Sequence, residues 1–337
     1  MISRWDSDVF ERNLSDLILS DLKIKLKYIS HPYSGWRAIP LQKYPTIEIN
    51  KHGLRNEKIN SYKRNNILLL GGSMAWGFGA SSNLKTPAKL LQLKINKNLK
   101  NKKFNVINFA DQGFTSHEEV NTLLNIYQEL KPCLIIFLTG VNDIKKIYMD
   151  KHWLSDVYIA NFDKNIILSK LSLLSEKNKF KFLAKLLKYP FLKEDDYQFK
   201  KDFFYLNQDS YNENKLSIIE KKIICSLAII KDINCKVFYI NQPTLYNKNK
   251  KSVSEFSIFN SSSLSEGEYT KFYNSYVSKI KKMILSKIKF EKNFKYFDLN
   301  DCFNNNEKSF FFDSVHVSDD GNELMADNIL SLLNKNL

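Results

Sequence analysis

Five short apolar runs alternate along the chain with segments of helical periodicity, and no other feature limits the possible folds as strongly. The apolar runs lie at 66–70, 104–109, 133–138, 236–240 and 294–298. Helical patterns follow them near 84–99, 116–130, 215–232, 268–288 and 319–334. The run from Cys133 to Leu138 is apolar throughout, which is typical of a strand in a parallel sheet that helices cover on both faces.

Strands that alternate with crossover helices predict an α/β protein, a flavodoxin-like three-layer α/β/α sandwich with a five-stranded parallel sheet. This domain is predicted to span residues 65–337, which is enough chain to bury a full hydrophobic core. Ahead of it, residues 1–64 are predicted to form a helix and an extended arm that lies on the sheet domain. Residues 145–214 interrupt the alternation and indicate a mainly helical, basic insertion that would serve as a cap or a lid.

The charge of the chain is strongly positive, with a formal net charge of +15. Such a charge suits an anionic partner. Lysine and asparagine recur along the whole chain, however, and no arginine cluster or aromatic-basic motif stands out, so nucleic-acid binding is not expected. An apolar helical stripe near the N-terminus is expected to dock on its own domain rather than on a membrane; it consists of Leu14, Ile18, Leu22 and Leu26.

The N-terminal segment lacks the charged start and apolar run of a secretory signal, and no uncharged stretch reaches bilayer-spanning length. We therefore expect a cytoplasmic protein. The four cysteines form no C-x-x-C pair and are predicted to be reduced thiols; they are Cys133, Cys225, Cys235 and Cys302. No set of His, Cys, Asp and Glu residues has metal-ligand spacing, so neither a metal nor an organic cofactor is expected.

A glycine-rich turn, Gly71-Gly72-Ser73, follows the first apolar run. Glycines permit a tight turn, and a serine placed there would have its hydroxyl at the carboxyl end of the sheet, which suits a nucleophile. Two other kinds of site are excluded by spacing. Phe78 and Gly79 stand where a P-loop needs lysine and serine or threonine, and the third glycine of a dinucleotide fingerprint is missing. If this turn is considered alone, the alternative to a nucleophilic Ser73 is a turn with a purely structural role.

A second candidate segment lies near the C-terminus, where Asp313 precedes His316 by three residues. An aspartate at this spacing can reach the ring Nδ1 within one loop, which leaves Nε2 free to act as a general base. The alternative is that both side chains only cap the helix that follows. The other histidines have no acid in a comparable loop and are interpreted as surface or packing residues; they are His31, His52, His117 and His152.

Oxyanion donors are predicted in the loops after the second and third strands, which carry Gly113 and Asn142. Loops after neighbouring parallel strands meet at the carboxyl edge of the sheet. The backbone N–H groups of Ser73 and Gly113 and the side-chain amide of Asn142 would then surround one developing oxyanion.

The order Ser73, Gly113, Asn142 and His316 resembles the four blocks of the SGNH (GDSL-like) hydrolase superfamily, and the resemblance spans about residues 65–335. Gly140-x-Asn142-Asp143 and Asp313-x-x-His316 are similar to the third and last blocks of the family. Gly72 departs from the Gly-Asp-Ser of the first block. The resemblance implies a serine esterase or acyltransferase with Ser73, Asp313 and His316 as its catalytic triad.

Two segments of the arm, Tyr33-Ser-Gly-Trp-Arg37 and Ile49-Asn-Lys-His-Gly-Leu-Arg55, resemble segments of bacterial SGNH proteins associated with surface-polysaccharide synthesis. This resemblance implies a small-molecule or glycan ester as substrate, with an O-acyl group, most simply O-acetyl, on a sugar. A sugar O-acetyltransferase and a membrane-surface lysophospholipase are the alternatives on the same triad, and a non-catalytic binding protein is the least favoured one. Packing of the arm is the alternative role for both segments, and the oligomeric state is not predicted.

Overall fold

A computed structural model of the chain describes residues 17–18, 20–32, 34–56, 65–99, 103–149, 208–260 and 266–336. Its strands are β1 (Tyr28–His31), β2 (Gly35–Ala38), β3 (Asn66–Gly71), β4 (Asn105–Asn108), β5 (Leu134–Thr139), β6 (Lys236–Asn241) and β7 (Phe294–Asp298). The last five form one parallel sheet in the order β4-β3-β5-β6-β7, and β1 and β2 form a separate antiparallel hairpin. The predicted five-stranded parallel sheet is confirmed.

Helices cover both faces of this sheet. They are α1 (Ser73–Trp76), α2 (Pro87–Asn98), α3 (Ser116–Leu130), α4 (Val141–Met149), α5 (Gln208–Ile233), α6 (Val253–Asn260), α7 (Glu266–Lys287) and α8 (Asp319–Asn336). Residues of α2 and α8 build one hydrophobic core, and residues of α3, α5 and α7 build a second. Because neighbouring side chains of a strand point to opposite faces, Leu69 of β3 enters the first core and Leu70 the second. This arrangement confirms the three-layer sandwich.

The winding of the sheet reverses at β3, since β4 and β5 lie on either side of it. A reversal of this kind opens a crevice at the carboxyl ends of the strands involved. The segments that carry Ser73, Gly113 and Asn142 follow β3, β4 and β5 in turn, with Ser73 and Asn142 in the first turns of α1 and α4. Topology therefore brings three segments that are far apart along the chain to one edge of the sheet.

The N-terminal segment packs on the core that α2 and α8 share. Ile18, Leu22 and Leu26 are buried there, as expected of the apolar stripe, whereas Leu14 lies outside the described residues. A short π-helix, Asp21–Lys25, leads into the hairpin. Asp21 is fully buried, and its carboxylate accepts hydrogen bonds from the backbone N–H and the hydroxyl of Thr46. This contact ties the N-terminal segment to the arm.

The predicted insertion at 145–214 lies mainly outside the described residues, and its two ends belong to α4 and α5. Its role as a cap or a lid stays a prediction. Among the helices in the described part of the chain, none combines the length and the apolar character needed to cross a bilayer. All four cysteines are free thiols.

Candidate active site

The turn that carries Ser73 leaves little room for side chains at the two residues before it. Gly71 has φ +154°, and a Cβ on it would stand 2.2 Å from the carbonyl oxygen of Leu138. A Cβ on Gly72 would stand 2.3 Å from Nδ2 of Asn142. The side-chain amide of Asn142 therefore lies directly against Gly72. Ser73 follows as the first residue of α1.

Ser73, His316 and Asp313 form one hydrogen-bonded chain. Oγ of Ser73 lies 2.6 Å from Nε2 of His316, and Nδ1 of His316 lies 2.6 Å from Oδ2 of Asp313. An ionised carboxylate can only accept hydrogen bonds, so the ring proton belongs on Nδ1, and Nε2 is then the acceptor for the Ser73 hydroxyl. The structure brings together these three residues, which the sequence predicts as a triad, in the geometry that proton transfer from Ser73 requires.

The Asp313 carboxylate is held in its charged form. Burial by itself raises the pKa of Asp313, but the electrostatic interaction and hydrogen bond with the His316 ring, together with the N–H groups of Val315 and His316, hold that pKa below its ordinary value. Both N–H groups donate to Oδ1 at 2.8 Å. Oδ2 is left for the imidazole, and the carboxylate therefore orients the ring from within one short loop.

A buried ion pair supports the segment that leads into this loop. Nζ of Lys248 lies 2.5 Å from Oε2 of Glu255, and both side chains are fully buried. Oε1 of Glu255 accepts hydrogen bonds from the backbone N–H groups of Phe310 and Phe311, at 2.9 and 3.1 Å. Glu255 of α6, paired with Lys248 from the loop after β6, thus holds the chain just before Asp313. Neither Lys248 nor Glu255 stood out in the sequence, because both lie far along the chain from the segment that they hold.

Gly113 and Asn142 lie next to the Ser73 turn. The N–H of Asp111 donates to the carbonyl of Gly71 at 3.2 Å, and Nδ2 of Asn142 donates to the carbonyl of Phe114 at 2.8 Å. Gly113 therefore sits in a loop that is bonded on one side to the Ser73 turn and on the other to Asn142. The second hydrogen of the Asn142 amide and the N–H groups of Ser73 and Gly113 are the donors that this corner can offer.

Two phenylalanines flank the ring of His316. The centroid of the Phe78 ring lies 4.4 Å from that of His316, and the Phe312 ring is stacked at 6.0 Å. Gly79, with φ +86°, makes room for Phe312, since a Cβ on it would stand 2.2 Å from that ring. In the sequence, Phe78 and Gly79 were informative only as residues that exclude a P-loop. Their adjacency to the nucleophile turn was the signal that could have revealed this contact.

The other described histidines lie elsewhere. Nδ1 of His31 is 2.9 Å from the hydroxyl of Ser34, His117 contacts Asn121 on α3, and His52 is exposed. His152 lies outside the described residues. Within the described ranges, no cluster of three or more His, Cys, Asp or Glu side chains is placed to hold a metal ion.

Arg55, at the end of the second arm segment, is fully buried against the loop that follows α1. It donates to the carbonyls of Gly77 at 2.6 Å and of Ala80 at 3.2 Å, and its guanidinium lies 4.6 Å from the centroid of the Trp76 ring. Burial lowers the pKa of Arg55 to about 9, so the group stays charged at neutral pH. This part of the arm therefore packs on the parallel-sheet domain.

Asp111 beside Gly113 makes the stability of the protein depend on pH. Burial raises the pKa of Asp111 to about 7 from its ordinary 3.8, against the opposing N–H of Gln112 and charge of Arg37. Between these values the folded state holds more protons than the unfolded state, so stability falls as pH rises. We expect the Tm of the wild type to drop by a few degrees more than that of Asp111→Asn between about pH 5 and about pH 8. Exposed Asp232→Asn is the control and should follow the wild type, whereas parallel curves for wild type and Asp111→Asn would contradict the assignment.

Comparison with known proteins supplies neither a family nor a close relative. No protein-family model matches the chain, and no curated protein matches it. Among solved structures, it is similar to a catalytic mutant of Axe2, an acetylxylan esterase from Geobacillus stearothermophilus, with 12% identity over 82% of this chain and 95% of that one and a TM-score of 0.45. TesA matches with 12% identity over 81% and 100% of the two chains and a TM-score of 0.44. The acetyl xylan esterase AlAXEase matches with 12% identity over 79% and 98% and a TM-score of 0.43. At such low identities and TM-scores, these likenesses do not decide what this chain does.

Proposed function

We propose that this chain is a serine hydrolase that acts on ester bonds. The observation that carries the proposal is the pair of 2.6 Å contacts that joins Ser73 to His316 and His316 to Asp313. A serine hydroxyl is a weak nucleophile until a base stands ready to take its proton, and a neutral imidazole held by a carboxylate is such a base. Ser81 and Ser116 also lie near the site, but their hydroxyls donate to the carboxylates of Asp319 and Asp143.

In the first step, Nε2 of His316 takes the proton of Ser73 while Oγ attacks the carbonyl carbon of the ester. The carbonyl oxygen becomes an oxyanion and receives hydrogen bonds from the N–H groups of Ser73 and Gly113 and from the Asn142 amide. Asp313 stabilises the charged imidazolium. Collapse of the tetrahedral intermediate breaks the bond to the alcohol, which leaves with the proton from His316, and an acyl-serine remains.

In the second step, His316 takes a proton from an incoming hydroxyl, which attacks the acyl-serine. Water as the acceptor gives a carboxylic acid, whereas a sugar hydroxyl as the acceptor gives a new ester. Both routes regenerate Ser73 with the proton returned from His316. The same residues therefore serve an esterase and an acyltransferase, and the acceptor decides between the two.

The substrate that we propose is an O-acyl group, O-acetyl above all, on a carbohydrate or a related ester. The resemblance of the arm segments to SGNH proteins of surface-polysaccharide synthesis supports this substrate class. The order of Ser73, Gly113, Asn142 and His316 supports the superfamily. A sugar O-acetyltransferase is the second candidate because its chemistry differs only in the acceptor.

A panel of p-nitrophenyl esters, from acetyl to long-chain acyl, tests this proposal with and without sugar acceptors. We expect the acetyl ester to be cleaved fastest and its acyl group to appear as acetate. Formation of an acetylated sugar would identify the acyltransferase. A preference for long chains together with activation by anionic vesicles would identify the lysophospholipase instead. Failure to release nitrophenol from any ester, with no labelling by a fluorophosphonate, would overturn the assignment as a serine hydrolase.

A further inference from the structure

We infer that Trp36, on the N-terminal hairpin, is a positioning residue that aims the Gly113 N–H into the oxyanion hole. The inference rests on the proposed function, because it concerns the oxyanion that ester cleavage creates. It gives the first arm segment a role in the reaction rather than only in packing.

The loop that carries Gly113 is a tight turn with a choice of two peptide orientations. The N–H of Phe114 donates to the carbonyl of Asp111 at 3.3 Å, which closes a four-residue β-turn. Gly113, at the third position, has φ +79°, as a type II turn requires. Types I and II differ chiefly by a flip of the central peptide, which here joins Gln112 to Gly113. A flip would reverse the direction in which the Gly113 N–H points.

Trp36 holds this central peptide from the carbonyl side. Its indole N–H donates to the carbonyl oxygen of Gln112 at 3.1 Å, and its ring packs edge-on against Phe114 at a centroid distance of 5.5 Å. The Trp36 side chain is buried, and β1 pairs with the strand that carries it. The indole N–H of Trp36 is therefore rigidly placed. A flip of the peptide between Gln112 and Gly113 would break the partly buried hydrogen bond from this N–H to the carbonyl of Gln112.

The opposite side of the same peptide carries the Gly113 N–H. In a trans peptide the C=O and the N–H point in opposite directions, so a carbonyl held by Trp36 sends the N–H away from the hairpin. Within the described residues this N–H has no acceptor. The Ser73 turn and Asn142 border the loop there, through the contacts of Asp111 with Gly71 and of Phe114 with Asn142.

Two physical effects follow for the reaction. Holding the peptide in one orientation means that the N–H need not reorient when the oxyanion forms, and preorganised donors of this kind stabilise transition states most effectively. A hydrogen bond accepted by the carbonyl also polarises the amide and makes its N–H a better donor. Both effects act on the transition state more than on the bound ester, so they should appear in kcat rather than in KM.

Replacement of Trp36 by phenylalanine tests the inference, since it keeps a ring against Phe114 and removes the N–H. We expect kcat for p-nitrophenyl acetate to fall by about tenfold, with KM within about twofold of the wild type. The control is Tyr44→Phe, which removes another hydrogen bond of the arm, from the Tyr44 hydroxyl to the carbonyl of Lys25 at 2.8 Å. This control should keep the wild-type kcat. The decrease in its Tm shows how far the loss of one hydrogen bond in the arm destabilises the fold, and the decrease in the Tm of Trp36→Phe is compared with it.

If Trp36→Phe fails to fold, β-(3-benzothienyl)alanine at position 36 provides a second variant, because sulfur replaces the N–H in a ring of nearly the same shape. A tenfold loss of kcat in either folded variant, with Tyr44→Phe unaffected, supports the inference. A folded Trp36 variant with the kcat of the wild type overturns the inference about Trp36. If the fluorophosphonate still labels Ser73 of the wild type in that case, the proposed function is upheld. An unlabelled and inactive wild-type protein overturns both, and the labelling assay thus separates the two failures.

Discussion

Replacement of Ser73 by alanine is expected to lower kcat for ester cleavage by about 10⁴- to 10⁶-fold and to abolish labelling by a fluorophosphonate. The hydroxyl of Ser73 lies 2.6 Å from Nε2 of His316, and removing it deletes the nucleophile of the proposed reaction. The substitution removes only one oxygen from a side chain at the edge of the sheet, so the Tm should stay close to that of the wild type. Kinetics, labelling and a thermal melt on the same preparation give all three quantities.

Ser81→Ala is the matched control for this experiment. Ser81 lies shortly after α1, which begins at Ser73. Its hydroxyl donates to the carboxylate of Asp319, so the loss of this hydroxyl should leave kcat near the wild-type value. Peptide mapping after labelling should find the phosphonate on Ser73. Labelling of Ser81, Ser116 or Ser314 with Ser73 unmodified would refute the assignment of the nucleophile, whatever the activity of the Ser73 variant.

Replacement of Asn142 by alanine is expected to lower kcat by about 10²- to 10³-fold, with a smaller effect on KM. One hydrogen of the amide is donated to the carbonyl of Phe114 at 2.8 Å, and the other is available to the substrate oxygen. That second hydrogen bond strengthens when the oxygen becomes negative, which is why its loss should appear mainly in kcat. The measurement is a full Michaelis curve for the acetyl ester.

The bond to Phe114 gives Asn142 a structural contribution that has to be separated from the catalytic one. Asn125→Ala is the control, since the Asn125 amide donates to the carbonyl of Asn121 on the exposed side of α3. It should change neither kcat nor KM. A raised KM with an unchanged kcat would make Asn142 a ground-state binder. A well-folded Asn142→Ala protein with wild-type kinetics would remove Asn142 from the oxyanion hole.

Local spacing was sufficient to predict the relation between Asp313 and His316. They are three positions apart, and a loop of that length lets a carboxylate accept from both the backbone N–H and the ring Nδ1 of the histidine. Both the glycine-rich turn and its serine were visible in the same way, because a strand end followed by two glycines limits the possible backbone. These parts of the site depend on interactions within a few residues.

Other parts depended on contacts that no local pattern encodes. The sequence did not show that the amide of Asn142, which follows a different strand, lies against Gly72. Nor did it show that Trp36 donates to Gln112, a residue 76 positions away. The arm segments stood out only as a resemblance, and their contacts come from tertiary packing: Trp36 meets the turn after β4, and Arg55 meets the loop after α1.

The sequence by itself determined the layered α/β architecture, because the period of its apolar residues dictates which segments become strands buried on both faces and which become covering helices. It also supplied the chemical groups in the order in which the strands present them. Only the tertiary structure decided which groups meet. Ser73 and His316 are 243 positions apart, and Oγ of Ser73 comes within 2.6 Å of Nε2 of His316 only when α8 packs on the sheet that contains β3. Side-chain contacts at that range are set by how whole elements pack, and a periodic pattern carries no information about the distance between two such elements.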